Sequence, residues 1–315
     1  MDSLFDPPSA FDRDALRERL NELAARGVYI GGSSWKYEGW LDSIYSRARY
    51  LTRGKFSKKL FEETCLAEYA TVFPAVCGDF AFYQFPSVEL WTKLFRQVPP
   101  GFRFGFKVPE QITVGAWPVH PRYGALAGLE NPTFLDAALF EQGFLRVLEP
   151  WRERVGVLIF EFGTFGRQSF ANAAEFAKAL GPFLERLPAG WRYAVEIRNA
   201  DFLVPAYFDC LRAHNVAHVY NAWARMPEIG EQMELRGSRT SDLIVARALL
   251  KRGRAYEEAV RTFAPYDHVQ EVNEPVRKAL RELIDIAIVD GQPAMIFVNN
   301  RLEGNSPGTI VAITD

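Results

Sequence analysis

The run VGVLIFEF, residues Val155–Phe162, is the clearest structural signal in this chain, since all its residues except Gly156 and Glu161 are apolar. A short apolar run rich in Val, Ile and Phe is typical of a strand buried on both faces, as in a parallel sheet. A membrane-spanning helix would need about 20 apolar residues. We therefore interpret this run as one strand of a buried parallel sheet.

Seven further runs of this kind occur, and segments with helical periodicity separate most of them. The eight runs are residues 28–34, 75–80, 103–108, 155–162, 192–198, 217–221, 242–248 and 294–299. Helical periodicity is found at 14–25, 56–73, 88–95, 133–148, 169–187, 204–214 and 276–288. Alternating strands and helices predict a parallel sheet, and eight strands predict a closed (β/α)₈ barrel of the TIM type. An open doubly wound sheet is the alternative.

The helical pattern weakens toward the end of the predicted barrel. Residues 221–241 show little periodicity, and few residues follow the eighth run. We therefore expect a barrel that is irregular around strands six to eight and lacks a normal final helix. The extra N-terminal helix at 14–25 would plug the N-terminal end of the barrel or replace that last helix. We expect one domain over residues 1–315, with an extension at 1–27 and the barrel at 28–308.

Composition excludes several classes of protein. Hydrophobic residues make up 48% of the 315 residues and charged residues 24%, which argues against disorder, collagen and coiled coils. With 37 Lys and Arg against 39 Asp and Glu, the net charge is -2, so nucleic acid is an unfavoured partner. Three scattered cysteines and a start without signal-peptide features predict a cytoplasmic protein with no membrane partner. The sequence does not indicate an oligomeric state.

Polar residues end nearly every predicted strand. In a barrel of this type the active site lies at the C-terminal strand ends. Because residues two apart share a face, the phenylalanines of RFGFK should face the helices and Lys107 the barrel interior. The same alternation sends Glu161, Glu196 and Arg198 inward. The sixth run also ends in a polar residue, Asn221.

The residue types at these ends predict an acid/base site for an anionic substrate. Three bases are expected to bind the anionic group: Lys107, Arg198 and Arg247. Three carboxylates are candidates for the general acid/base: Glu196, with Glu161 or Asp79. Two amides, Asn299 and Asn300, would orient substrate hydroxyls. The alternative is a self-paired ion network that only orders the barrel.

Aromatic and histidine residues near the strand ends are further candidates for substrate binding. Trp35, Tyr37 and Tyr83 could stack on a sugar-like ring, or could simply pack the loops. His120, in the long loop after the third run, could reach the mouth or pack that loop.

Familiar catalytic signatures are absent from the sequence. The chain contains no GxSxG, no P-loop, no GxGxxG after a strand and no HExxH. A divalent metal on the three carboxylates is chemically possible, but the neighbouring bases oppose it, so no metal is predicted. The cofactor is left open. Catalysis by Cys77 would need a basic neighbour, which the sequence does not reveal.

Five segments, in order along the chain, resemble the YecE-like family, also called domain of unknown function seventy-two. They read GGSSWKYEGW (31–40), FYQFP (82–86), GFRFGFKVP (101–109), AVEIR (194–198) and FVNNRLEGN (297–305). The resemblance implies a TIM-barrel-like fold, in agreement with the strand count, and no established activity. Five collinear motifs are more specific than any one of them.

The chain departs from the family pattern at two strand ends. Where the family usually has Glu-x-Asn before its Phe-Tyr pair, this chain has Cys77-Gly78-Asp79. Where the family has Gln-x-Pro, it has Glu161-Phe162-Gly163. The resemblance therefore implies that anion binding is carried over more safely than an acid/base role.

The first functional hypothesis is a cytoplasmic enzyme that acts on a small phosphorylated or carboxylated, sugar-like molecule. The sequence leaves the reaction type open. The second hypothesis is a non-catalytic ligand- or nucleic-acid-binding module that uses the basic segments at 236–239 and 251–254.

Overall fold

The computed structural model describes residues 11–166 and 169–315. Eight parallel strands form a closed barrel. The strands are β1 (Val28–Gly32), β2 (Ala75–Gly78), β3 (Arg103–Lys107), β4 (Val155–Phe162), β5 (Tyr193–Ile197), β6 (Ala217–Ala222), β7 (Ile244–Ala248) and β8 (Ala294–Val298). The ring closes because β1 pairs with both β2 and β8. This confirms the (β/α)₈ prediction and excludes the open sheet.

Helices surround the barrel and connect its strands. They are α1 (Arg13–Ala25), α2 (Lys58–Tyr69), α3 (Val88–Phe95), α4 (Glu110–Thr113), α5 (Ala137–Phe140), α6 (Arg146–Leu148), α7 (Ala173–Glu185), α8 (Pro205–Ala213), α9 (Ile229–Glu234), α10 (Tyr256–Phe263), α11 (Glu274–Asp290), α12 (Asn300–Glu303) and α13 (Ser306–Thr314). A π-helical segment, Glu141–Leu145, joins α5 to α6. Within the part of the chain that the structure describes, no helix has the length and apolar character needed to cross a bilayer.

The core has two layers, and the strand alternation read from the sequence assigns residues to them correctly. Val157, Ile159 and Ala194 lie in the cluster that fills the barrel interior. Phe104 and Phe106 lie in the larger cluster between strands and helices. Glu161 and Glu196 share the parity of the interior residues and are paired in register. The charged side chains therefore lie above the apolar filling of the barrel.

The junction of β1 and β2 depends on a glycine and a tyrosine. A Cβ atom on Gly31 would lie 1.8 Å from the carbonyl oxygen of Ala75, so the two backbones could not approach with any other residue there. The Tyr69 hydroxyl donates to that same oxygen at 2.9 Å and accepts from the Gly32 amide at 2.7 Å. These contacts fix the backbone where the loop after β1 begins.

One expectation about the end of the chain was wrong. A final helix does exist: α13 begins at a cap in which Asn305 Oδ1 accepts from the Gly308 amide at 2.7 Å, and nine residues suffice. A short helix, α9, also forms in the region that lacked periodicity, because Glu228 and Glu231 make a capping box. The barrel is irregular near its sixth strand, where β5 and β6 pair over only two residue positions.

The N-terminal helix α1 packs on the outside of the barrel, against β1 and beside α13. Its Leu16 and Leu20 belong to the layer between strands and helices. A cavity of about 560 Å³, with Tyr29 and Arg103 in its wall, occupies the N-terminal end of the barrel. The helix therefore neither plugs that end nor takes the place of the last helix.

Candidate functional site

The C-terminal ends of five strands bring six charged residues together, and we call this group the mouth cluster. Its members are Asp79, Lys107, Glu161, Glu196, Arg198 and Arg247. Lys107 and Glu161 end the neighbouring strands β3 and β4, while Arg247 reaches across the barrel from β7. The structure thus unites all six charged residues that the strand-end argument selected.

The carboxylate of Glu161 is at the centre of the mouth cluster. Its oxygens lie 3.1 Å from Lys107 Nζ, 3.2 Å from Arg198 Nη2 and 2.6 Å from Arg247 Nη1. Glu196 is paired with the same two arginines, at 2.7 Å from Arg198 Nη2. Three positive and three negative formal charges therefore balance within the cluster.

Asp79 differs from the other members in its surroundings. Its Oδ1 lies 3.6 Å from Arg247 Nη2 and 3.9 Å from Lys107 Nζ, longer separations than those around Glu161. The Asp79 side chain is 41% exposed, whereas that of Glu196 is fully buried and that of Arg247 is 2% exposed. Asp79 is therefore the loosely held, accessible carboxylate of the cluster.

Electrostatics keep Glu161 ionised. Burial alone would raise the pKa of this carboxyl, but the adjacent Lys107, Arg198 and Arg247 outweigh burial and hold the pKa well below its usual range. Glu161 is consequently a carboxylate at neutral pH and carries no proton to donate as a general acid.

Two aromatic rings contact the cluster from positions after β2 and β6, and an amide of β6 lies beside it. Lys107 Nζ lies 3.8 Å from the ring centroid of Phe82, and the Arg198 guanidinium lies 4.0 Å from that of Trp223. Asn221 donates from Nδ2 to the Ile197 carbonyl at 3.1 Å. Phe82 and Trp223 were not among the predicted site residues, although each closely follows a strand end.

A cavity of about 520 Å³ lies beside the mouth cluster. Four of the predicted site residues line it: Trp35, Tyr37, Asp79 and Asn299. Other lining residues include Ser33, Lys36, Tyr256 and Arg301. Asp79 lines the cavity, whereas the remaining five members of the mouth cluster do not. This carboxylate therefore connects the buried charges to the space in which a small molecule could bind.

Three predicted site residues belong neither to the mouth cluster nor to the cavity wall. Asn300 is buried, and its Oδ1 accepts from the Ser306 amide at 2.7 Å, which joins α12 to α13. Tyr83 is exposed and stacks with Arg122, whose guanidinium lies 4.5 Å from the ring centroid. His120 is also exposed, and its Nδ1 accepts from the Arg122 amide at 3.1 Å. Closeness to a strand end did not bring Tyr83 to the cavity, and a place in the long loop did not bring His120 there.

The structure also bears on two other chemistries, which are catalysis by Cys77 and metal binding. Burial raises the pKa of the Cys77 thiol to about 12, so it is a neutral thiol rather than a nucleophilic thiolate. Across residues 11–166 and 169–315, no cluster of three or more His, Cys, Asp and Glu side chains has metal-binding geometry. The carboxylates of the mouth cluster have cationic partners instead.

The basic segments that suggested nucleic-acid binding are largely paired. Arg252 lies 3.0 Å from Glu231, Arg254 lies 2.6 Å from Glu271, and Lys251 also pairs with Glu271. In the other segment, Arg239 pairs with Asp290 at 2.6 Å. Much of the positive charge of these segments is therefore neutralised on the surface.

A closed parallel barrel with charged residues at the C-terminal strand ends defines a (β/α)₈-barrel protein. The family model described as "Protein of unknown function DUF72" matches residues 29–315, and the chain belongs to this family. This confirms the resemblance to the YecE-like family.

Individual relatives agree with the assignment. The chain is 27% identical over 176 residues to the UPF0759 protein YecE of Escherichia coli K12, covering 56% of this chain and about half of the length of that relative. A DUF72 family protein from Thermotoga maritima superimposes with a TM-score of 0.58 at 20% identity, covering 91% of this chain and 96% of that one. One from Enterococcus faecalis gives 0.57 at 16% identity, covering 91% and 94%. These solved structures have the same fold.

Proposed function

We propose that the protein is an enzyme that acts on a small anionic, hydroxyl-bearing molecule by proton transfer at Asp79. The substrate would occupy the cavity beside the mouth cluster. Trp35 and Tyr37 would pack against its carbon skeleton, and Asn299 would donate from Nδ2 to a hydroxyl, since its Oδ1 already caps α12.

The arrangement of the mouth cluster carries this proposal. Burying five charged groups is costly, and apolar residues of similar volume would often stabilise a barrel at least as well. This cluster is neutral overall, yet one of its carboxylates faces a cavity. That arrangement favours a catalytic role over a purely stabilising one. Asp79 is that carboxylate.

Each member of the mouth cluster then has a role. Asp79 accepts a proton from the substrate, and Lys107, 3.9 Å away, stabilises negative charge that develops nearby. Arg198 and Arg247 hold Glu161 and Glu196, so we assign these four residues to positioning. Glu161 is unsuited to act as a general acid because its carboxyl is already ionised. The reaction class follows from the substrate once it is identified.

A metabolite screen tests the proposal. The wild-type protein is incubated with phosphorylated and carboxylated sugars and polyols, and consumption is followed by mass spectrometry. At least one compound should be consumed, and D79N, which preserves shape, should slow its consumption about 10²- to 10⁴-fold. D209N is the matched control, because Asp209 is exposed and pairs only at the surface with Arg212. No consumption by the wild type, or equal rates with D79N, would refute the proposal.

A non-catalytic binding protein is the second candidate, and the internal pairing of the mouth cluster favours it. The bases predicted to bind an anion already contact carboxylates. Compounds that raise the melting temperature of the wild type but are recovered unchanged would support this candidate.

A further inference from the structure

The wall of the cavity contains an arginine that the mouth cluster does not use. Arg301 lines the cavity at the start of α12. Its Nε is buried and has no hydrogen-bond partner, and no carboxylate in the described part of the chain lies within salt-bridge distance of its guanidinium. A partly buried guanidinium without a counter-ion is costly unless a ligand supplies one.

The backbone that carries Arg301 is held firmly in place. Asn299 Oδ1 accepts from the Arg301 amide at 2.9 Å. Further along α12, the fully buried Glu303 pairs with Arg277 at 2.7 Å and accepts from Thr309 Oγ1 at 2.7 Å. Gly304 ends the helix at a φ of 107°, where a side chain would be strained. The guanidinium is therefore presented from a rigid turn.

Aromatic side chains lie near the guanidinium of Arg301. The guanidinium lies 4.5 Å from the ring centroid of Tyr256, and Tyr37 packs edge-on against Tyr266 with centroids 5.5 Å apart. Burial raises the pKa of Tyr37 to about 12, even though the nearby charge of Arg301 opposes that rise. Because Tyr37 stays protonated, it does not cancel the charge of the guanidinium.

A second unsatisfied donor lines the same cavity. Ser33 is 2% exposed, and its Oγ is buried without a hydrogen-bond partner among the residues described. Its amide is already used, donating to the Val298 carbonyl at 2.9 Å. Lys36 adds a third positive or polar group to this wall, while Glu62 and Glu63 lie on the exposed rim. An acceptor with several oxygens would satisfy both Arg301 and Ser33.

We propose that Arg301 and Ser33 bind the oxyanion group of the ligand, a carboxylate or a phosphate monoester. The claim that this oxyanion group belongs to the substrate rests on the proposed function. The claim that the cavity holds an oxyanion site does not. This assignment moves anion recognition from the bases predicted at the strand ends to Arg301 of α12, the short helix after β8. Asp79, which lines the same cavity, is left free for proton transfer.

Binding of inorganic phosphate and of malonate, at constant ionic strength and pH 7, tests the site by calorimetry. One of the two should bind the wild type, and the preferred one distinguishes phosphate from carboxylate recognition. Loss of a charge-assisted contact in R301Q should weaken binding about 10- to 100-fold, with partial recovery in R301K. R252Q, which removes an exposed arginine paired with Glu231, should bind as the wild type does.

Equal affinity of R301Q and the wild type, or no binding of either anion to the wild type, would overturn the proposal. S33A adds a second variant that leaves the guanidinium in place, and its affinity should fall about 5-fold or more. D79N removes a negative charge from the same cavity wall, so its affinity for the anion should be at least that of the wild type, whereas its turnover should fall about 10²- to 10⁴-fold. Failure of the enzyme hypothesis and failure of the oxyanion site are therefore separate results.

Discussion

Replacement of Arg247 by methionine would measure how strongly the mouth cluster depends on its charge balance. Arg247 is 2% exposed and contacts Glu161, Glu196 and Asp79. R247M leaves the cluster with two positive and three negative groups, and the fully buried Glu196 retains only Arg198. Breaking a buried pair by removing one partner costs about 3–5 kcal/mol. For a chain of 315 residues this corresponds to a fall in Tm of about 5–8 °C.

Urea unfolding followed by circular dichroism is the assay. The double variant E196Q/R247M restores neutrality, so it should recover a large part of the free energy of unfolding lost in R247M. The difference between R247M and the wild type should also shrink below about pH 4, because the wild type then loses the benefit of its low Glu161 pKa. An R247M protein within about 1 kcal/mol of the wild type at pH 7 would refute the reasoning, since the charges would then be effectively hydrated.

Three other predictions concern the barrel and its titrating groups. G31A should lower the free energy of unfolding by about 3 kcal/mol or prevent folding, because the added methyl overlaps a carbonyl oxygen of β2. G101A, at a position with open space around it, should be close to neutral in the same urea experiment. The buried thiols of Cys65 and Cys77, whose pKa burial raises to about 12, should resist a disulfide reagent at pH 8 until urea unfolds the protein; labelling of both in the native state would contradict this. The pKa of Glu161 is well below its value in the unfolded chain, so its contribution to stability is complete above about pH 5 and should be lost as the pH falls further. In E161Q the free energy of unfolding should therefore change less between about pH 5 and pH 3 than in the wild type. An equal change in the two proteins would count against the ion cluster.

The sequence predicted the barrel and the mouth cluster for a physical reason. Strands buried on both faces are short apolar runs, and the period of two along a strand identifies which residue points inward at its end. Lys107, Glu161 and Glu196 were therefore predictable as neighbours from the sequence alone. The geometry of a closed barrel then required the strand ends to converge.

The parts that sequence reasoning missed lie beyond the strand ends. Arg301 directly follows the asparagine pair that was selected, but alternation stops where the strand stops, so its direction was unpredictable. Helix α13 was missed although Asn305 as cap and Pro307 in the first turn are recognised start signals. Tyr83 and His120 show the reverse error, because closeness in sequence to a strand end does not fix where a loop residue lies.

A crystal structure of D79N, soaked with a metabolite that the wild type consumes, would locate the chemistry. We expect density for the intact compound in the cavity beside the mouth cluster, with its oxyanion on Arg301 and Ser33 and a hydroxyl or C–H group within contact distance of residue 79. A compound bound elsewhere on the molecule, or bound in the cavity with residue 79 out of reach, would contradict the assignment of Asp79 as the proton acceptor.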